Sequence, residues 1–107
     1  MHGEVRAYGS VEHRHVPEIE GGLLASGLEA TVSFTPHLVP LARGLAVTAR
    51  ARLKQELDDE TALDLLAKAY PNEPFVRVVE TWPSVKAVAG SNGCHVSAKV
   101  DARNGWL

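Results

Sequence analysis

The hydrophobic period of this chain changes along its length, and the changes mark out its elements. From Glu29 onward Ala30, Val32 and Phe34 alternate with Thr31, Ser33 and Thr35, a period of two that predicts a half-buried strand. A longer alternation follows, with Leu45, Val47, Ala49, Ala51 and Leu53 on one face and Thr48, Arg50, Arg52 and Lys54 on the other. That second strand has one face for a core and one for water or a ligand. Between them Pro36 and Pro40 interrupt ladder pairing, so TPHLVPLARG (residues 35–44) reads as a loop carrying His37 and Arg43.

Elsewhere the period is helical. Residues 58–70 offer Asp58 or Asp59 as an N-cap, acids in the first turn, Leu63, Leu66 and Tyr70 on one side, and Pro71 as a stop. A shorter helix is expected over residues 17–26. Pro17 suits a first helical position, Glu18 and Glu20 face the positive end of the helix dipole, and Ile19, Leu23 and Leu24 form an apolar side. Gly21 and Gly22 each weaken that helix by about 1 kcal/mol relative to alanine, so packing must hold it, and Gly27 is its expected stop.

Residues 75–80 and 85–89 read as two further strands separated by a Trp82-Pro83 turn, and Gly90-Ser91-Asn92-Gly93 makes a break. In the last strand Cys94, Val96, Ala98 and Val100 alternate with His95, Ser97, Lys99 and Asp101; Asn104-Gly105 is then a hairpin turn signal with only Trp106 and Leu107 after it. At the other end Met1-His2-Gly3 runs straight into a charged, strand-like stretch. The expected architecture is α+β, a mostly antiparallel or mixed sheet of about five strands with two helices on one face. A parallel βαβ array is disfavoured, because the link between the first two strands is too short for a crossover helix.

Composition narrows the function. With 107 residues, 45% apolar and 22% charged, the chain suits one domain with one core. Eleven Lys+Arg against thirteen Asp+Glu give a formal charge of −2, so no global positive field draws in nucleic acid or an anionic membrane. Any anion site is local. The single cysteine excludes an intramolecular disulfide, and no apolar run reaches the length of a membrane span or a secretory signal, so a cytoplasmic setting is expected.

The densest titratable chemistry is VEHRHVPEIE (residues 11–20). His13 and His15 are two apart, so on an extended backbone both rings point one way and Arg14 the other. With Glu18 nearby, two imidazoles and a carboxylate could hold zinc. Imidazole also titrates near neutrality, which suits acid/base work beside a helix-start carboxylate. Exposed histidines at a helix entrance are the plainer reading, and spacing alone leaves all three open.

Cys94 falls in register with Val96, Ala98 and Val100, which predicts a core-facing, inert thiol rather than a nucleophile. Gly90-Ser91-Asn92-Gly93 is a turn before it is an anion nest. Arg43, beside Gly44 in the proline-rich loop, could clamp a phosphate or carboxylate, whereas Arg50, Arg52 and Lys54 read as a solvated strand face. The chain contains no G-x-G-x-x-G, no P-loop and no interleaving of basic and aromatic residues, which leaves dinucleotide, nucleotide and nucleic-acid binding without support.

Four blocks carry a family resemblance: HRHVPEIE (13–20), SFTPHLVPLARGLAVTARARL (33–53), EPFVRVV (73–79) and GSNGCHVSAKVDARNG (90–105). In order and spacing they resemble N-acetyl-gamma-glutamyl-phosphate reductase, an arginine-biosynthesis enzyme, over its internal substrate and dimerisation domain. The resemblance implies a fold like the C-terminal domain of glyceraldehyde-3-phosphate-dehydrogenase-like enzymes. It also implies an activity: NADPH reduces N-acetyl-glutamyl phosphate to the semialdehyde through a cysteine thioester, with release of phosphate.

In that family the nucleophile and the NADP site belong to a preceding Rossmann-type domain, and Cys94 does not match the nucleophile motif. His13 resembles the family's acid/base histidine, with His15 and Glu18 beside it; Arg43 and, less closely, His37 match the substrate-holding block. The resemblance further implies that another strand and a helix follow Asn104-Gly105, that this segment is a truncated or excised domain inactive alone, and that it self-associates and meets an NADP-binding domain of the same enzyme. Nucleic acid and membrane are not expected partners, and no cofactor or metal is expected on the segment itself. The competing reading is a stand-alone assembly module in which Arg43 and the histidines hold a small anion or a metal.

Overall fold

The computed structural model describes residues 3–9 and 12–107. Val11, the first residue of the titratable stretch, and Met1-His2 at the head of the strand-like N-terminal stretch lie outside the described residues. The chain divides into two compact units, Met1–Ala42 and Arg43–Leu107.

In the first unit β1 (Arg6–Ala7) pairs antiparallel with β2 (His37–Leu38), Arg6 opposite Leu38 and Ala7 opposite His37. The Tyr8 N–H extends this ladder to the Pro36 carbonyl at 3.1 Å. The stretch read as a loop therefore contains a short strand, placed between its two prolines where ring nitrogens do not interrupt the pairing.

Helix α1 spans His15–Ala25, two residues ahead of the expected start. Pro17 is tolerated there because its missing N–H belongs to the first turn, where such groups have no partner within the helix. The helix stops as expected at Gly27, whose φ is +94°. Gly27 N–H donates to Leu24 O at 2.9 Å and Leu28 N–H to Leu23 O at 2.9 Å, the paired bonds of a Schellman motif, which a glycine closes without Cβ strain.

Residues 29–35 keep the expected alternation, with Ala30, Val32 and Phe34 half-buried and their neighbours exposed, yet they form no β-ladder. One backbone donor is met by a side chain: Val32 N–H donates to Glu20 Oε2 at 2.8 Å. Glu20 thus leaves the dipole role expected of it and fastens α1 to this extended segment.

In the second unit α2 (Asp59–Ala69) is capped by Asp58, whose carboxylate accepts the Thr61 N–H at 2.8 Å. It packs against β3 (Val76–Val78). The first turn of α2 is also tied to the C-terminal segment, since Val100 N–H donates to Asp59 Oδ1 at 2.7 Å. Ala62 and Ala98 are the buried apolar residues among those described, so the core is made of small side chains.

Residues 85–89 correct the sequence reading: α3 (Val85–Val88) stands where a strand was expected. A short apolar run carries no decisive period, and Ser84 decides it by accepting the Ala87 N–H at 3.3 Å as a helix cap. With α3 as connector, β3 and β4 (Cys94–Val96) run parallel, Val76 opposite Cys94 and Val78 opposite Val96. The molecule is α+β as expected and its pairing is mixed, but the described residues form four strands in two two-stranded sheets with three helices, not one five-stranded sheet with two.

Residues 45–53 were expected to be a long strand and form only a short pairing at their end. Ala51 N–H donates to Leu107 O at 3.0 Å, Leu107 N–H to Ala51 O at 2.8 Å, and Leu53 N–H to Gly105 O at 2.8 Å. The Asn104-Gly105 turn does return the chain, with Trp106 bridging both Asp101 and Arg52. Upstream the apolar face lies open, Leu45 at 82% and Val47 at 76% exposed.

Cys94 is a second correction. It is exposed, not core-facing. The alternation breaks here because His95, Val96 and Ser97 are all half-buried in succession and Ala98 is buried, while Cys94 is the first residue of a three-residue ladder.

Candidate functional site

His13 and His15 come together as expected, but not by way of an extended backbone. Arg14 adopts helical dihedrals (φ −62°, ψ −17°) and gives α1 no side-chain cap of its own. The capping comes from the residue before it: His13 Nδ1 accepts the His15 N–H at 3.1 Å, and the His13 carbonyl accepts the Val16 N–H at 3.1 Å. An imidazole nitrogen therefore satisfies a donor that a serine or aspartate oxygen commonly takes.

The His13 ring is enclosed on several sides. Its centroid lies 4.5 Å from that of His15, 5.2 Å from Phe34 in an edge-on arrangement (83°), and 5.9 Å from Tyr8 (66°). Gly9 lies beneath it; a Cβ there would stand 3.0 Å from His13 Cδ2, and the Gly9 φ of +56° further favours glycine. His13 is half-buried and His15 exposed.

Phe34 was legible as an inward residue of the alternating segment, although its contact with His13 was not. Tyr8 and Gly9 gave no signal, because nothing in their local pattern marks them as lining a ring.

The other candidates are more dispersed. Glu18 lies in the first turn of α1 and is exposed. His37 is an exposed residue of β2, opposite Ala7. Arg43 opens the second unit and is exposed. No three His, Cys, Asp or Glu side chains among the described residues converge as a metal set, which leaves the zinc reading with two rings and no third ligand. A shallow cleft between α1 and residues 29–31 is lined by Glu20, Gly21, Leu24, Glu29, Ala30 and Thr31. Its two carboxylates make it a poor seat for an anion.

The described residues also do not fit a nicotinamide dinucleotide. The parallel unit β3–α3–β4 has a four-residue connecting helix, and its glycines (Gly90, Gly93) follow that helix instead of preceding it, where a pyrophosphate loop belongs. No described helix is long and apolar enough to cross a membrane.

The chain is 41% identical to N-acetyl-gamma-glutamyl-phosphate reductase of Thermoanaerobacter sp. (strain X514), over 96% of this chain and 31% of that protein. It is 46% identical to the reductase of Desulforamulus reducens over 92% of this chain and 29% of the relative, and 41% identical to that of Staphylococcus aureus over 94% and 30%. The chain thus spans somewhat under a third of the length of these curated relatives. The family described as semialdehyde dehydrogenase, dimerisation domain, matches residues 1–107, and the chain belongs to that family.

Proposed function

We propose that this chain is the substrate-binding and dimerisation part of an N-acetyl-gamma-glutamyl-phosphate reductase. The parent reaction is the NADPH-dependent reduction of an acyl phosphate to the semialdehyde in arginine biosynthesis, in the cytoplasm. The observation that carries the reading is the enclosed His13 ring beside His15 at the start of α1, in a chain about 40% identical to reductases of that name.

The hydride of the parent reaction would come from NADPH, which the nucleotide domain would hold. This chain contributes proton handling and substrate contacts, and by itself it is inactive. His13 and His15 are the proton-handling pair, and Glu18, His37 and Arg43 hold the substrate, Arg43 through the fork geometry that suits a carboxylate or phosphate. A second copy of the chain is its other partner, and the open face of Leu45 and Val47 is the surface it covers.

Titration calorimetry with N-acetylglutamate, inorganic phosphate and zinc tests this reading against a metal or anion module. The reductase reading expects heat with N-acetylglutamate that is lost in Arg43→Ala, and no tight zinc site. Tight zinc binding abolished by His13→Ala, without any response to N-acetylglutamate, overturns it.

A further inference from the structure

The bond between the His15 amide and the His13 ring has a chemical consequence beyond bringing the two residues together. A backbone N–H 3.1 Å from Nδ1 needs a lone pair there, so a neutral ring in this position carries its proton on Nε2. The ring cannot easily turn over to exchange the two nitrogens. Phe34 and Tyr8 meet it edge-on, His15 lies 4.5 Å away, and the bare Cα of Gly9 is set against Cδ2.

We propose that His13 rests as the neutral Nε2–H tautomer, fixed by the first turn of α1. It therefore meets a substrate carbonyl oxygen as a hydrogen-bond donor through Nε2, and it takes up a proton only by releasing the His15 amide. The added proton would form an N–H bond at Nδ1, placing donor against donor across 3.1 Å.

The titratable and charged groups around the ring are His15, Tyr8, Glu12, Arg14 and Glu18. His15, on α1, is exposed, and its ring centroid lies 4.5 Å from that of His13. Tyr8, following β1, meets the ring edge-on; residues 29–35 present the uncharged Phe34; Glu12 and Arg14 flank the ring in sequence, and Glu18 lies in the first turn of α1. The two imidazoles thus differ: His13 is held through Nδ1 by the first turn of α1, and His15 is exposed.

This assignment deepens the proton-handling role given above and rests on it only for what Nε2 does to substrate; the tautomer itself is read without turnover. Long-range proton–nitrogen NMR of the labelled 107-residue chain, from about pH 5 to 8 where imidazole titrates, is the direct test. The expected spectrum has a protonated Nε2 and an unprotonated Nδ1 on His13, with the His15 amide resonance moving at the midpoint of His13 itself. In His13→Asn the side-chain Oδ1 stands where Nδ1 did, so the His15 amide stays protected and loses its pH dependence. In His13→Gln the polar atoms reach the Nε2 position instead, and that amide exchanges roughly fivefold faster or more, the size expected of a lost helix cap. A proton found on Nδ1, a His15 amide indifferent to the His13 titration, or equal exchange in the two variants overturns the proposal. The wild-type spectrum alone decides the tautomer should either variant fold poorly.

Discussion

A few side chains in this molecule satisfy backbone donors that no ladder reaches. His13 and Asp58 do so at the starts of α1 and α2, Ser84 at the start of α3, and Glu20 at mid-segment. The aspartates among such groups carry a pH signature. Asp58 is held below the ordinary aspartate value, first by its side-chain hydrogen bond with Thr61 and then by the Thr61 backbone. Asp101 is lowered first by the Asn104 side chain, whose Nδ2 donates at 3.0 Å, with the Arg50 charge a lesser cause. A carboxyl that is more acidic folded than unfolded stabilises the fold above its unfolded pKa, and that contribution disappears as pH falls through the folded value. Acid unfolding should accordingly steepen below the ordinary aspartate range. Asp58→Asn, which keeps an acceptor but not the titration, should flatten that part of the stability curve when denaturation midpoints are compared between about pH 5 and 2.5. Much of this was readable beforehand, since Asp58 announced itself as a cap. His13 did not, because imidazole is an uncommon cap and the sequence placed it on an extended backbone.

At the scale of elements, period was a better guide to which side chains turn inward than to which backbones pair. Residues 29–35 alternate in burial as their sequence says, without a ladder, because alternation reports a face and not a neighbour. Residues 85–88 went the other way: three apolar positions and Lys86 after Ser84 are too short a run to show a period, and the cap chose helix. Gly44 bears on the same helix. Its φ is +103°, and a Cβ at that position would overlap Val85 Cγ1. Gly44→Ala should therefore cost roughly 1–3 kcal/mol, combining backbone strain with overpacking. Val85→Ala should recover the overpacking part but not the strain, which a double-mutant cycle on chemical denaturation would resolve.

The whole molecule is notable for how little it closes over its own apolar surface. Ala62 and Ala98 are its buried apolar residues among those described, while Leu45, Val47, Phe75 and Trp82 are largely exposed. The alternation at residues 45–53 was plain in the sequence, but a sequence shows that a face wants covering without showing what covers it. The family's dimerisation description and the open Leu45–Val47 face together lead to an expectation for association. Sedimentation at increasing concentration should show self-association that Leu45→Asp with Val47→Asp weakens by tenfold or more, about 1.4 kcal/mol or beyond. A double variant that associates as the wild type does would place the contact elsewhere.

The claim on which the functional account depends is that this chain handles a proton for an acyl-phosphate reduction carried out with a nucleotide domain. Its most direct measurement is NADPH oxidation by this chain joined to the nucleotide domain of the Thermoanaerobacter reductase, to which it is 41% identical, with N-acetyl-glutamyl phosphate as substrate. The account expects substrate-dependent oxidation that falls by about 10²–10⁴ in His13→Ala, the usual range for a lost acid/base group. A folded chimera that oxidises no NADPH, or one whose turnover survives His13→Ala, contradicts it.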